Sequence, residues 1–227
     1  MSRSLKLYIT GLVSLSVLAL VLTSLVYAGN PNFVGGIRED IRLRSGAPVQ
    51  IDILLGVGFW TIMTLFAGAL PVRMPRGTLV SVSMAPIIAS MALGGPVAGG
   101  IVALVGSTEL RELRGRIPWY GTAANHAGVV LPALAGGIST EFLRGQSPDD
   151  HVHFLATLAG AAAFFVLNTG VTSLVVAMRT NQPFALVARG DDVVGVDCFT
   201  PYYDRWRKER NLEALVSRPE FRLVEAD

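Results

Sequence analysis

Two apolar runs, joined by Gly94-Gly95-Pro96 and bracketed by arginines, limit what this chain can fold into more than any other feature. Arg73 and Arg76 precede a run from Thr78 to Leu93; a second run, Val97 to Val105, is closed by Arg111, Arg114 and Arg116. Neither run carries a polar stripe at helical period, so neither has a face that seeks water. Backbone in lipid must satisfy its own hydrogen bonds, and two short helices with a tight Gly-Pro turn between them achieve this. Basic residues at both ends place those ends on one side of a membrane. The expectation is a helical hairpin buried in a bilayer.

Further apolar blocks fall on either side of it. Leu5 to Ala28 follows Arg3 and Lys6; it is longer than the ~7–15-residue core of a secretory signal, so a retained span is expected. About 20 apolar residues suffice to cross. A polar loop, residues 29–50, is too short and too poor in apolar residues to fold alone. Ile51 to Leu70 is the second span, with Asp52 at its water end, and the hairpin supplies the third and fourth. The fourth is expected to continue from Ser107 to Leu113 as an amphipathic end. The fifth runs from Trp119 to Leu143, where Trp119-Tyr120 beside Arg114 and Arg116 suits an interface anchor. The sixth runs from about His153 to Met178.

With the N-terminus inside, the inner segments hold Arg3, Lys6, Arg73, Arg76, Arg111, Arg114, Arg116 and Arg179, against Arg38, Arg42, Arg44 and Arg144 outside. That bias favours an inner (plasma) membrane protein with both termini cytoplasmic. The overall net charge of +2 does not point to nucleic acid, because the cations sit at helix ends or are matched by acids. Cys198, the single cysteine, excludes an internal disulfide and a cysteine metal cluster. Close helix packing is expected at Gly94, Gly95, Gly99, Gly100 and Gly136-Gly137 and along Ala159 to Ala163.

After Met178 the composition changes: residues 179–227 are charged and alternate strand and helix signals. Residues 192–197 form a short buried-strand pattern. Tyr202 to Val216 places Trp206, Leu212 and Leu215 at helical spacing, and Phe221 to Glu225 reads as a second strand. The order is that of a parallel strand-helix-strand unit.

Polar groups at membrane depth are costly and often functional, which singles out Asn125 and His126 in span five and Asn168-Thr169 in span six. For the asparagines, interhelical hydrogen bonding is the simpler role. His126 is placed either to carry a proton or to ligate a metal, but His151 and His153 fall at the opposite end of their helix, so no metal site is expected. Glu109 and Glu112 share a helix face; a solvated helix end accounts for them more simply than an acid/base pair. Asp197, ending a strand, is placed to accept ribose hydroxyls in a dinucleotide-binding unit. That role needs a Gly-rich turn about 20 residues upstream, and none is present.

Residues 50–180 resemble the N-terminal transmembrane module of bacterial signalling proteins with GGDEF or HD-GYP cyclic-di-GMP domains. The matching features are the Leu70 to Gly77 lead-in, Val80-Ser81-Val82-Ser83, the Gly95-Pro96 turn, Trp119-Tyr120 followed by Asn125, and Asn168. The resemblance implies a sensory or anchoring module. Residues 185–227 resemble part of the extended short-chain dehydrogenases, the NAD-dependent epimerases and dehydratases of sugar nucleotides. It implies that Asp197 is a vestigial ribose-binding acid and Asp227 a vestigial acid near the adenine. The first strand, the Gly-rich loop and the Tyr-x-x-x-Lys motif of that family are missing, and a membrane part joined to such a fragment reads as a gene fusion or gene-model artefact.

The expectation is an all-α membrane protein: a six-span helical bundle, residues 1–178, with a short C-terminal β-α-β fragment, residues 179–227. It is expected to have no catalytic activity and no cofactor, and to have the bilayer and a homo-oligomer or cytoplasmic signalling protein as partners. The rival readings are a membrane-tethered NAD-dependent epimerase and a small-solute transporter whose cavity is lined by Asn125, His126 and Asn168.

Overall fold

The computed structural model describes residues 3–70, 72–73, 79–80, 82–115, 117–180, 194–197, 209–210, 213 and 222–225. The chain divides into two compact units, Met1–Thr172 and Ser173–Asp227.

In the first unit α1 (Arg3–Ala28) leads to a short antiparallel pair, β1 (Phe33–Val34) and β2 (Ile37–Arg38), and a 3₁₀ turn at Glu39–Ile41. Next come α2 (Val49–Ala69), the paired β3 (Val72–Arg73) and β4 (Leu79–Val80), α3 (Met84–Gly106), the four-residue α4 (Leu110–Leu113), α5 (Trp119–Arg144) and α6 (Asp150–Thr180). Among the described residues, four helices are long and apolar enough to cross a membrane: Arg3–Ala28, Val49–Ala69, Met84–Gly106 and Asp150–Met178. Their outward surfaces agree with lipid contact. Leu18, Leu25, Phe59, Phe66, Leu155 and Phe165 are large, apolar and exposed on α1, α2 and α6, an arrangement that water would penalise.

α3 has the length of a crossing helix but does not run straight. Gly95 adopts φ 80°, ψ −176°, outside helical space and suited to glycine, and Pro96 follows it. A Cβ on Gly99 would sit 3.1 Å from Met91 Cα. Eight residues of straight helix would separate those positions by about 12 Å. The chain therefore folds back at Gly95, and α3 is the hairpin that Gly94-Gly95-Pro96 predicts. Each limb, of roughly eleven residues, reaches about 16 Å, half of a hydrocarbon core of about 30 Å. The helix begins at Met84, not at Thr78, because Leu79–Val80 pairs with Val72–Arg73 as a strand. It also stops at Gly106, and α4 is a separate turn, so the expected continuous helix through Leu113 is not formed.

α5 is the central helix. At 26 residues it spans about 39 Å, and it falls outside the four apolar helices because Gly, Ala and polar residues replace large apolar ones. Those small residues admit neighbours: a Cβ on Gly137 would lie 2.5 Å from Pro96 Cα, and one on Gly136 would lie 2.7 Å from the Gly160 carbonyl oxygen of α6. Gly128 meets Val171 while Gly136 meets Gly160, so α5 and α6 run antiparallel. The core between them holds Ile87, Met91, Val102, Val130, Ala133, Leu134 and Phe164, all 2% exposed or less.

The 29–48 loop is not a solvated connection. Phe33, Ile37 and Ile41 are buried at 7%, 7% and 2% exposure, and Ile37 and Ile41 belong to the main core. A Cβ on Gly95 would meet the Phe33 ring at 2.9 Å, and one on Gly94 would meet Ile41 at 2.7 Å. The loop thus dips in from one side and meets the hairpin tip, which enters from the other. Non-helical backbone at that depth is tolerated because protein, not lipid, surrounds it.

In the second unit, β5 (Val194–Asp197) and β6 (Arg222–Glu225) pair in parallel, with Val194 opposite Arg222 and Asp197 opposite Glu225. Between them only Glu209, Arg210 and Glu213 are described, and they are helical. Trp206, Leu212 and Leu215 lie outside the described residues.

Candidate functional site

Two polar clusters lie at opposite ends of the first unit. One is built by the 29–48 loop and the last turns of α5. Arg38 leaves β2 and donates from Nη1 to both carboxylate oxygens of Glu141, at 3.1 and 3.2 Å. Its Nη2 donates to Asp40. Asp40 also faces Arg144 Nη1 at 3.5 Å, so one carboxylate bridges two guanidinium groups. Exposure is uneven: the side chains of Arg38, Glu141 and Arg144 are 15%, 11% and 17% exposed, whereas that of Asp40 is 48% exposed. Arg38 Nε is buried with no partner among the described residues.

Beside this cluster opens a cavity of about 670 Å³. Its wall includes Tyr27 from the end of α1, Asn30, Phe33, Arg38, Asp40 and Arg144. Tyr27 and Phe33 meet edge to face, their ring centroids 4.9 Å apart. Phe33, which lines the cavity, lies close against Gly95 at the hairpin tip.

A satellite cluster ties the same loop to α2. Asp52, expected at the water end of its span, is fully buried. It accepts hydrogen bonds from the Ser45 backbone N–H at 3.0 Å and from the Ser45 hydroxyl, and Arg42 Nη2 approaches at 3.4 Å. The loop folds over Asp52 and gives the carboxylate the partners that water would otherwise supply.

The opposite cluster contains two of the residues picked out from sequence. His126 Nε2 lies 3.0 Å from Glu112 Oε2, and its Nδ1 contacts the Leu104 carbonyl oxygen and, at 3.1 Å, Ser107 Oγ. Asn125 Nδ2 donates to Glu112 Oε1 at 3.3 Å. Glu112 is only 4% exposed, so it is not the solvated helix-end residue expected; it is the acceptor that closes α4 onto α5. Glu109 does remain at the surface, 39% exposed and paired with Arg111 at 2.5 Å.

The other sequence candidates do not join these clusters. Asn168 is 9% exposed on α6 and has no hydrogen-bond partner among the described residues, and Thr169 beside it is half-buried. His153 Nε2 contacts the Ser147 carbonyl oxygen at 2.6 Å at the far end of α6 from the level of His126. No group of three or more His, Cys, Asp or Glu residues is placed to hold a metal among the described residues. Asp197 ends β5, and Asp227 lies outside the described residues.

Sequence reasoning missed Arg38, Asp40, Glu141, Arg144 and Asp52. The available signal was the run Ile37-Arg38-Glu39-Asp40-Ile41, where dense charge is flanked by two apolar residues that prove to be core. Comparison with protein-family models, curated proteins and solved structures finds no match to this chain.

Proposed function

We propose that the first unit is a sensory or anchoring membrane module of the bacterial signalling type, joined to a C-terminal segment without catalysis of its own. The observation that carries this reading is a partly charged cavity at one end of the bundle, above an apolar core cluster that includes Met91, Val102, Leu134 and Phe164. A receptor needs a recess for a ligand and rigid walls to report its occupancy; a transporter needs polar groups along a route. Asn125 and His126 are engaged with Glu112 in the far cluster, and neither they nor Asn168 line the cavity on which the sensory reading rests. The epimerase reading still lacks a phosphate-binding turn.

In the proposed topology α1, α2, α5 and α6 cross the membrane fully, while α3 enters to half depth from the cytoplasmic side and returns. Both termini remain cytoplasmic by the arginine bias, and the cavity opens on the other face. The test fuses residues 1–180 to a diguanylate cyclase catalytic domain and measures cyclic-di-GMP in cells. Output that differs between the native bundle and a Glu112→Ala bundle at equal expression supports the reading. Accumulation of labelled solutes by proteoliposomes holding the whole chain would replace it with transport.

A further inference from the structure

The geometry points to a ligand class for the cavity: we propose that it binds a small monocarboxylate with an apolar body, which takes the place of Asp40 between Arg38 and Arg144. This rests on the sensory reading above. Asp40 already shows what the two guanidinium groups accept, since its carboxylate bridges Arg38 Nη2 and Arg144 Nη1. The exposures decide which member of the bridge is replaceable. Asp40 is 48% exposed and belongs to a short turn, so water can take over its hydrogen bonds when it swings out. Arg38 and Arg144 are 15% and 17% exposed and would be left poorly solvated without a carboxylate between them. A cationic ligand would take Asp40 and strand those arginines; an anionic one releases Asp40 to water and leaves no buried charge unpaired.

The charge count sets the valence. With Asp40 turned out, the buried groups are Arg38, Arg144 and Glu141, and one added negative charge makes them neutral. Glu39, also on the wall, is 53% exposed and leans on Arg42 at 3.8 Å, so it stays hydrated and outside this balance. A planar guanidinium matches a carboxylate through paired N–H donors. The remaining wall mixes Tyr27, Phe33, Ile138 and Phe142 with the neutral polar Asn30 and Gln146 and holds no third cation among the described residues, so an uncharged body with aromatic or aliphatic surface fits it and a second negative charge finds no partner.

The experiment uses the full chain purified in detergent, with phenylacetate as probe and phenethylamine, phenylacetamide and succinate as charge-altered controls, read by thermal unfolding and by calorimetry. Phenylacetate is expected to raise the unfolding midpoint, and the three controls to leave it unchanged. Arg144→Gln should weaken phenylacetate binding at least tenfold. Asp40→Asn should strengthen it several-fold, because the internal competitor has lost its charge. The opposite sign, with Asp40→Asn abolishing binding or phenethylamine binding in place of phenylacetate, overturns the proposal. So does the absence of any phenylacetate effect at 10 mM, about tenfold above a Kd of 1 mM, in protein that still unfolds cooperatively. That failure leaves the sensory reading standing, because the cyclase fusion tests it without any ligand.

Discussion

At one end of the bundle two arginines share Asp40 beside an open cavity, and at the other Asn125 and His126 close on Glu112. Both ends use a carboxylate shared by more than one partner, yet the Asp40 side chain is 48% exposed and that of Glu112 is 4%. The difference lies in what each carboxylate joins. Glu112 links α4 to the first turns of α5, and its loss leaves the largely buried His126 ring without an acceptor. Asp40 links a surface turn to the last turn of α5, and water stands ready to replace it. An exchangeable partner suits a binding site, whereas a buried one suits a clasp. The first unit contains one of each, separated by a core of Met91, Val102, Leu134 and Phe164.

The largest effect is expected between the ends, where the hairpin tip rests on α5. Gly137→Leu would drive a side chain into the Pro96 backbone, which cannot yield as a flexible side chain would. A loss of about 3 kcal/mol is expected, read as a lower unfolding midpoint in detergent. Gly58→Leu on α2, where a Cβ meets nothing within 4 Å, serves as the control and should be nearly neutral. Equal midpoints for the two variants would mean that the hairpin does not seat on α5.

Next in size is Glu112→Ala. It removes the acceptor from the largely buried His126 ring and from the exposed Asn125 amide together, and a loss of about 2 kcal/mol is expected, chiefly from the His126 donor left unsatisfied. Arg144→Ala at the cavity end should cost less, about 0–1 kcal/mol, because its partner Asp40 can turn to water. If chemical denaturation ranked Arg144→Ala above Glu112→Ala, the contrast between an exchangeable end and a clasped end would be lost. The smallest effect belongs to Asn168→Leu. An interhelical hydrogen bond there would make the change cost about 0.6 kcal/mol or more. Without a partner among the described residues, the amide carries only a desolvation cost, so leucine should be neutral or slightly stabilising. A clear drop in midpoint would reveal a partner for Asn168.

Helix positions were readable because hydropathy and breakers act locally. Leu5 to Ala28 became Arg3–Ala28 and Trp119 to Leu143 became Trp119–Arg144, with differences of a residue or two at each end. The reversal at Gly95 was also readable, since Gly-Gly-Pro cannot continue a helix and arginines flank both limbs. The strand at Leu79–Val80 was not, because a short apolar run suits either state and only its pairing with Val72–Arg73 decides between them.

Sequence by itself determined that this chain has helices whose apolar surfaces suit lipid, that α3 folds back, and that a charged segment with strand patterns follows Met178. Those properties depend on neighbours within a few turns. Tertiary structure alone decided which charges matter. Arg38 and Glu141 stand 103 positions apart and meet only because the 29–48 loop sinks onto the hairpin tip. Asp52 has the sequence context of a helix-end residue in water, and Ser45 and Arg42 cover it only after the loop has folded. Burial and pairing of a charge depend on what the rest of the chain places around it, and local periodicity does not encode that environment.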